Sequence, residues 1–374
     1  MNSEKNRETA RPSERRRLAS LLADVPDAAE IKKGGGTRRF FRLNFRKIGV
    51  PAGTVPAGTV PAVVCVYDSD REENRYYAGI ARFLKKIGVP VPEIFLDVPE
   101  ENFLVMEDCG ATDLWTLAAR AEAERRAQPR ALDSTEKLCA QAYRSALAAL
   151  AVLHSRGIVA LDAAAAAGTP LAMMRDGFNR DYYRWERDYF LKNALDEGLK
   201  IALAPSERAA LERELAALAE TLLALPRQLV HRDCQSQNIL WAKNSAQFID
   251  FQGMRVGTGW YDVASLIFDP YVKFSPAFRA SLFRFYCEEI GVPVDAAASE
   301  NLRLAAAQRL MQALGAYFFL SQKMGKPHFR AHALPALENL VRVASGPLPR
   351  LHALAQKMLE AERKIASAGT AASA

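Results

Sequence analysis

From residue 113 to residue 365 apolar side chains recur at helical spacing almost without a break, and the break that matters is 229–265. Cys139, Tyr143, Ala146, Leu147, Leu150 and Leu153 line one helical face, and Leu211, Leu215, Leu218 and Leu222 line another. Pro205 and Ser206 precede the second helix, which places Ser206 as its cap. Inside the break the pattern changes. Leu229 and Val230 precede His231, Arg232 and Asp233; Asn238 precedes Ile239, Leu240 and Trp241; Gln247, Phe248 and Ile249 precede Asp250, Phe251, Gln252 and Gly253. Short strands there put Asp233 and Asn238 in one loop and Asp250 at the end of the next strand. A helical body so interrupted has a site built into it.

The first hundred residues have a different texture. Segments 39–45 (RFFRLNF), 62–67 (AVVCVY), 94–96 (IFL) and 102–106 (NFLVM) read as strands, and 72–88 reads as a helix. Between 50 and 62 the pentad VPAGT occurs twice and VPA a third time, a spacing too short for a solenoid, so this Pro/Gly repeat is read as an expanded hairpin connection. The change of texture near 107 divides the chain. Residues 1–19 form a disordered basic arm, 20–107 an N-terminal lobe, 108–365 a C-terminal catalytic and substrate lobe, and 366–374 a flexible tail. The fold class expected is α+β: two lobes, a small antiparallel sheet in the first and helices in most of the second.

Charge and cysteines exclude several classes. The net charge is +7, but residues 1–20 carry six Lys and Arg against three Glu, and the body mixes its signs along most helical stretches. A nucleic-acid binder needs a concentrated basic face, so none is expected. Five cysteines (Cys65, Cys109, Cys139, Cys234, Cys287) are odd in number and lack CxxC spacing, against a disulfide framework or a zinc site. No uninterrupted apolar run approaches the roughly 18 residues of a membrane span, and the start, MNSEKNRETARPSERRR, has no signal-type apolar region. Cytoplasmic placement is the expectation.

Carboxylate and amide oxygens are hard donors suited to Mg²⁺, which uses one or two protein carboxylates and completes its shell from phosphates and water. A further carboxylate off the metal can orient or deprotonate an attacking hydroxyl. Asp233, Asn238 and Asp250 thus outline a phosphoryl-transfer site. At these residues the sequence resembles a family: His231-Arg232-Asp233, Asn238 and Asp250-Phe251-Gln252-Gly253 are similar to the H-x-D-x-x-x-x-N and metal-binding Asp segments of protein-kinase-like folds, best to the aminoglycoside phosphotransferase (APH) superfamily. The resemblance covers roughly 30–345 and includes the glycines Gly34, Gly35 and Gly36, the segment 103–110 (FLVMEDCG) and 261–266 (YDVASL). With IDFQ at 249–252 and QRLMQALG at 308–315, it leans toward the anomeric kinases of cell-wall sugar recycling, which phosphorylate N-acetylmuramate and N-acetylglucosamine at C1.

The resemblance implies ATP and Mg²⁺ as cofactors and a small-molecule amino sugar as substrate. It places Asp233 as the base or hydroxyl-positioning residue, Asn238 and Asp250 on the metal, the backbone of Glu107 to Cys109 against adenine, and Gly34–Gly36 over the phosphates. His231 belongs to the catalytic motif and is read as bracing the loop. Asp262 is read as an anchor of that loop or a substrate contact. Where a kinase-like small lobe carries a phosphate-gripping Lys on its third strand, paired with a helix Glu, this strand reads AVVCVYD (62–68). Arg38, Arg39 or Arg42 is expected to substitute, leaving Glu72 or Glu73 without that lysine. In segment 181–190 Tyr182, Trp185 and Tyr189 are read as an inward face and Glu186 as a candidate substrate contact. His154, ahead of Gly157, is read as a helix C-terminal dipole partner. Alternatives are an aminoglycoside or other small-molecule hydroxyl kinase, and a non-catalytic pseudokinase binding module.

Overall fold

The computed structural model describes residues 29–31, 38–44, 60–68, 72–127, 134–168, 171, 174 and 177–371. Two compact units emerge: residues 1–111 with 247–252, and residues 112–246 with 253–374. The first therefore extends four residues past the change of texture at 107. It also takes in the short segment bearing Asp250, which is remote in sequence.

The first unit is a five-stranded antiparallel sheet, β1 (Ala29–Ile31), β2 (Arg39–Asn44), β3 (Pro61–Val66), β4 (Ile94–Val98) and β5 (Phe103–Glu107), in the order β1-β2-β3-β5-β4. Alternation decides its faces. Phe41 and Leu43 of β2, Ala62 and Val64 of β3, and Phe103 and Val105 of β5 make one buried cluster; each such large side chain contributes about 1.5–3 kcal/mol by leaving water. The alternate residues Phe40 and Cys65 are paired in register, as are Arg42 and Val63. A 3₁₀ turn (Glu72–Tyr76) leads into α1 (Tyr77–Ile87), which ends at Gly88 with φ 90°, a conformation glycine adopts without strain. The third VPA of the repeat runs into β3, and the rest of the repeat, 50–59, lies outside the described residues, as do the arm and Gly34–Gly36.

The second unit is helical: α2 (Leu114–Ala127), α3 (Ser134–Ala166), α4 (Arg180–Phe190), α5 (Pro205–Ala224), α6 (Trp260–Ile267), α7 (Pro276–Glu289), α8 (Ala296–Gln322), α9 (Ala333–Ala344) and α10 (Pro349–Ala371). The buried helix α8 packs against α4, α6 and α9. Strands β6 (Gln228–Val230) and β9 (Arg255–Gly257) pair antiparallel, and β7 (Ile239–Ala242) pairs with β8 (Ser245–Phe248). Helix α4 runs on into a π-helical stretch, Leu191–Leu199, whose Gly198 lies so close to Phe318 of α8 that a Cβ there would overlap the ring.

Two local expectations are corrected. Helix α5 starts one residue earlier, with Pro205 at its first position and Ala204 at the cap. The Glu207 carboxylate accepts the Ala204 N–H at 3.1 Å, so Ser206 has no capping role. The uninterrupted-run criterion also passed over the length of α3: within Thr135–Ala166 an 18-residue window has a mean hydropathy of 1.5, long and apolar enough by length and composition to cross a membrane. Alanines raise that mean, and Cys139, Tyr143, Ala146, Leu147, Leu150 and Leu153 are buried inside the unit.

Candidate active site

The residues singled out in sequence fall into a group in each unit. In the first unit Asp250 has φ 63°, left-handed backbone that is uncommon for a residue with a side chain. Its Oδ1 accepts from Gln252 Nε2 at 2.8 Å and from the Arg38 guanidinium. Arg38 also lies over the Phe40 ring, 5.7 Å from its centroid. Burial opposes the Arg38 charge, but Asp250 outweighs it and holds the group above its ordinary pKa. The other two candidate cations are committed elsewhere. Arg39 Nε donates to Glu30 at 2.9 Å on the exposed side, and Arg42 Nη2 donates to Asp108 Oδ1 at 3.0 Å. Glu72 accepts the Tyr76 hydroxyl at 2.6 Å.

In the segment after β5, Glu107 N–H donates to the Glu93 carbonyl at 2.8 Å, and Glu107 Oε2 accepts the Glu93 N–H at 3.2 Å. Cys109 is buried. Next to it, the Gly110 N–H donates to Asp108 at 2.8 Å and the glycine takes φ 81°.

In the second unit the loop after β6 is pinned at both ends by buried carboxylates. Asp262 accepts the His231 N–H at 2.6 Å and the Arg232 N–H at 2.8 Å. Arg232 has φ 76°, so these bonds hold a strained backbone in place. Asp269 accepts the Ser236 N–H at 2.7 Å and the Tyr271 N–H at 2.9 Å, and its burial raises its own pKa. Between the anchors, Asn238 Nδ2 donates to the Asp233 carbonyl at 3.0 Å, which leaves the amide oxygen as the end suited to a cation. The Asp233 carboxylate is part-exposed and faces Arg309 Nη2 across 3.7 Å. Arg309, on α8, is buried and donates through Nε to Ser265 Oγ at 3.1 Å.

His154 is not at a helix end, because α3 continues to Ala166. Its Nε2 donates to Asp262 Oδ2 at 3.2 Å, and its Nδ1 accepts the Tyr286 hydroxyl at 2.7 Å. The chain thus supports the anchor from behind. Helix α4 is rotated relative to expectation. Tyr183, Glu186 and Phe190 are its buried residues. Trp185 is 49% exposed and stacks on Tyr189 with ring centroids 5.4 Å apart. Tyr182 lies under the guanidiniums of Arg232 and Arg255, at 5.6 and 4.9 Å from its centroid. Glu186 accepts from the Tyr261 hydroxyl at 3.0 Å and Gln308 Nε2 at 2.8 Å, and these two partners satisfy the buried carboxyl.

Burial pushes the Glu186 pKa up to about 7, against partial offsets from Gln308 and Arg232. A carboxyl whose folded pKa lies above its unfolded value stabilises fully below the unfolded pKa and loses that contribution as pH rises through the folded one. Between about pH 4.5 and 7, wild-type protein should therefore lose urea resistance that Glu186→Gln retains. Parallel midpoint-versus-pH curves for the two proteins would rule this out.

Arg309 was not assigned from sequence, although it lies within the quoted QRLMQALG stretch. Asp269 was not singled out either. Both act through contacts that local spacing does not encode. The Asn238 amide oxygen, its nitrogen committed, and the Asp250 carboxylate are each an oxygen donor of the kind a hard cation takes. Among the described residues no cluster of three His, Cys, Asp or Glu could hold a metal alone, so Mg²⁺ would take its other ligands from phosphates and water.

A small antiparallel sheet with one helix, joined in sequence to a helical unit whose loop is held by buried carboxylates, is the frame in which the phosphotransferase motifs of this sequence sit. The sequence matches the phosphotransferase enzyme family (APH) over residues 52–300 of 374, and the chain belongs to that family. It is a small-molecule kinase that transfers phosphate to a hydroxyl. It is similar to the N-acetylmuramate/N-acetylglucosamine kinase of Pseudomonas aeruginosa, at 24% identity over 265 residues, 69% of this chain and 70% of that protein. Among solved structures it resembles a choline/ethanolamine kinase family protein from Mesorhizobium loti (TM-score 0.56, 17% identity, 92% of this chain and 99% of that one). It also resembles the ADP-bound aminoglycoside phosphotransferase APH(2'')-Ib (TM-score 0.52, 13% identity, 91% and 99%). The fold is the two-lobed α+β fold of kinase-like proteins.

Proposed function

We propose that this chain transfers the γ-phosphate of ATP, with Mg²⁺, to the anomeric hydroxyl of an N-acetylated amino sugar. The observation that carries the acceptor class is the charge around Asp233: Arg309 faces its carboxylate, while Arg232 and Arg255 cover Tyr182. Three guanidiniums there repel a polycationic aminoglycoside and suit a neutral sugar or one with a carboxylate. The description of the Pseudomonas aeruginosa relative supports the same acceptor.

In this reading Asp233 orients the acceptor hydroxyl and takes its proton, and Arg309 fixes the carboxylate that does so. His231 and Asp262 keep the loop in its strained form. Asn238 and Asp250 hold Mg²⁺, which neutralises charge on the nucleotide phosphates. The backbone from Glu107 to Cys109 meets the adenine, and Gly34, Gly35 and Gly36 cover the phosphates. Glu186, fully buried, supports the pocket through Tyr261 and Gln308 and does not touch the sugar. The proposal includes a cytoplasmic setting, which an ATP donor and five free, buried cysteines support.

The test is ADP release by purified protein with Mg²⁺ against N-acetylglucosamine, N-acetylmuramate, glucose, galactosamine and an aminoglycoside. Stimulation by the N-acetyl sugars, with phosphate on C1 by NMR, is expected. Stimulation by the aminoglycoside alone would overturn the assignment.

A further inference from the structure

Strand β3 lacks the lysine that a kinase-like small lobe uses to grip phosphates, and the first unit shows where a positive charge is found instead. Antiparallel neighbours in register share a face, so Cys65 lies on the face of Phe40, and Arg38, two residues before Phe40, follows the same alternation. The Arg38 guanidinium rests on Phe40 and reaches Asp250. Cys65 and Tyr77 adjoin the pair closely enough for its charges to act on them. The Cys65 thiol is 3% exposed, and burial pushes its pKa up to about 12, so it is neutral and contributes no charge. Arg39 and Arg42 are engaged with Glu30 and Asp108. The carboxylate bonded to the Arg38 guanidinium is Asp250, and Tyr77 of α1 stacks on the neighbouring Phe251 with ring centroids 4.4 Å apart.

We infer that the phosphate-gripping cation has moved one strand across the sheet: Arg38 of β2's leading end contacts the nucleotide's α- and β-phosphates, and Cys65 fills the strand position from which a lysine would have reached them. The inference rests on the ATP-dependent reading above. With no nucleotide the guanidinium neutralises Asp250; with nucleotide it turns its planar fork to phosphate oxygens, a geometry it matches better than an ammonium does.

Calorimetric titration with ADP and with adenosine, both in EDTA, isolates the phosphate contact from metal and from turnover. Arg38→Ala is expected to weaken ADP about 10- to 100-fold, the range of hydrogen bonds to charged groups, and to leave adenosine within about twofold. Arg38→Lys should fall between. Adding Cys65→Lys to Arg38→Ala should recover ADP affinity by returning a cation to the third strand. Should that double variant fail to melt cooperatively, the ADP and adenosine affinities of Arg38→Ala decide alone. Unchanged or tighter ADP binding by Arg38→Ala, or equal losses for ADP and adenosine, would overturn the inference. Wild-type protein that binds neither compound would instead sink the reading of ATP as donor on which the inference rests.

Discussion

Asp233→Asn is expected to lower kcat by about 10³-fold, within the span that a positioned base contributes, while the Kd for nucleotide stays within about twofold of wild type. The substitution keeps the size of the side chain and the Asn238 bond to the residue 233 carbonyl, which is a main-chain contact. What it removes is the basic oxygen facing Arg309. Single-turnover measurements with saturating ATP read the chemical step directly. A variant that turns over at more than a tenth of the wild-type rate would show that Asp233 does not handle the acceptor hydroxyl.

Asp262→Ala has the second large expected effect, on stability first. Its carboxylate is fully buried and collects the His231 and Arg232 N–H groups and His154 Nε2. Removing it strands three buried donors and releases the left-handed Arg232. A loss of about 3–5 kcal/mol is expected, seen as a fall in Tm of roughly 10 °C for a unit of this size. Asp262→Asn, which keeps one acceptor oxygen, should lose less. If Asp262→Ala melts with wild type, the loop is held by something other than this anchor.

Much of the fold could be read from the sequence because its signals are local. Strands β2, β3 and β5 carry β-branched and aromatic runs, and α3 and α5 keep unbroken stripes. Strand β1 has three residues, too few for periodicity to register. Gly157 suggested a helix end, yet it lies inside α3 because a Cβ there would sit 2.7 Å from Leu229 Cβ; the glycine serves a close approach, and His154 is buried as a result. On α4 the stripe Tyr182, Trp185, Tyr189 was the more apolar one, so periodicity pointed it inward. The winning face contains Glu186, whose partners Tyr261 and Gln308 lie 75 and 122 residues away.

The candidate site divides in the same way. His231, Asp233, Asn238, Asp250 and Asp262 fall within 32 residues and could be found by spacing. Arg309 reaches Asp233 from 76 residues further along the chain, and Asp269 holds Ser236 across 33. Choosing Arg38 among three arginines required the partners of all three, since in sequence they are equivalent.

Both loop anchors, Asp262 and Asp269, come from a single short stretch, α6 and the turn after it, whereas the aromatic surface of Tyr182, Trp185 and Tyr189 belongs to α4. The loop's main-chain anchors belong to one element and the partly exposed aromatic face to another. Tyr182 lies under Arg232 of the loop, but Trp185 carries none of the bonds that hold it, so a change at Trp185 leaves Asp233 aimed as before. Exposed side chains of α4 such as Trp185 can therefore vary while the loop that carries Asp233 keeps its form.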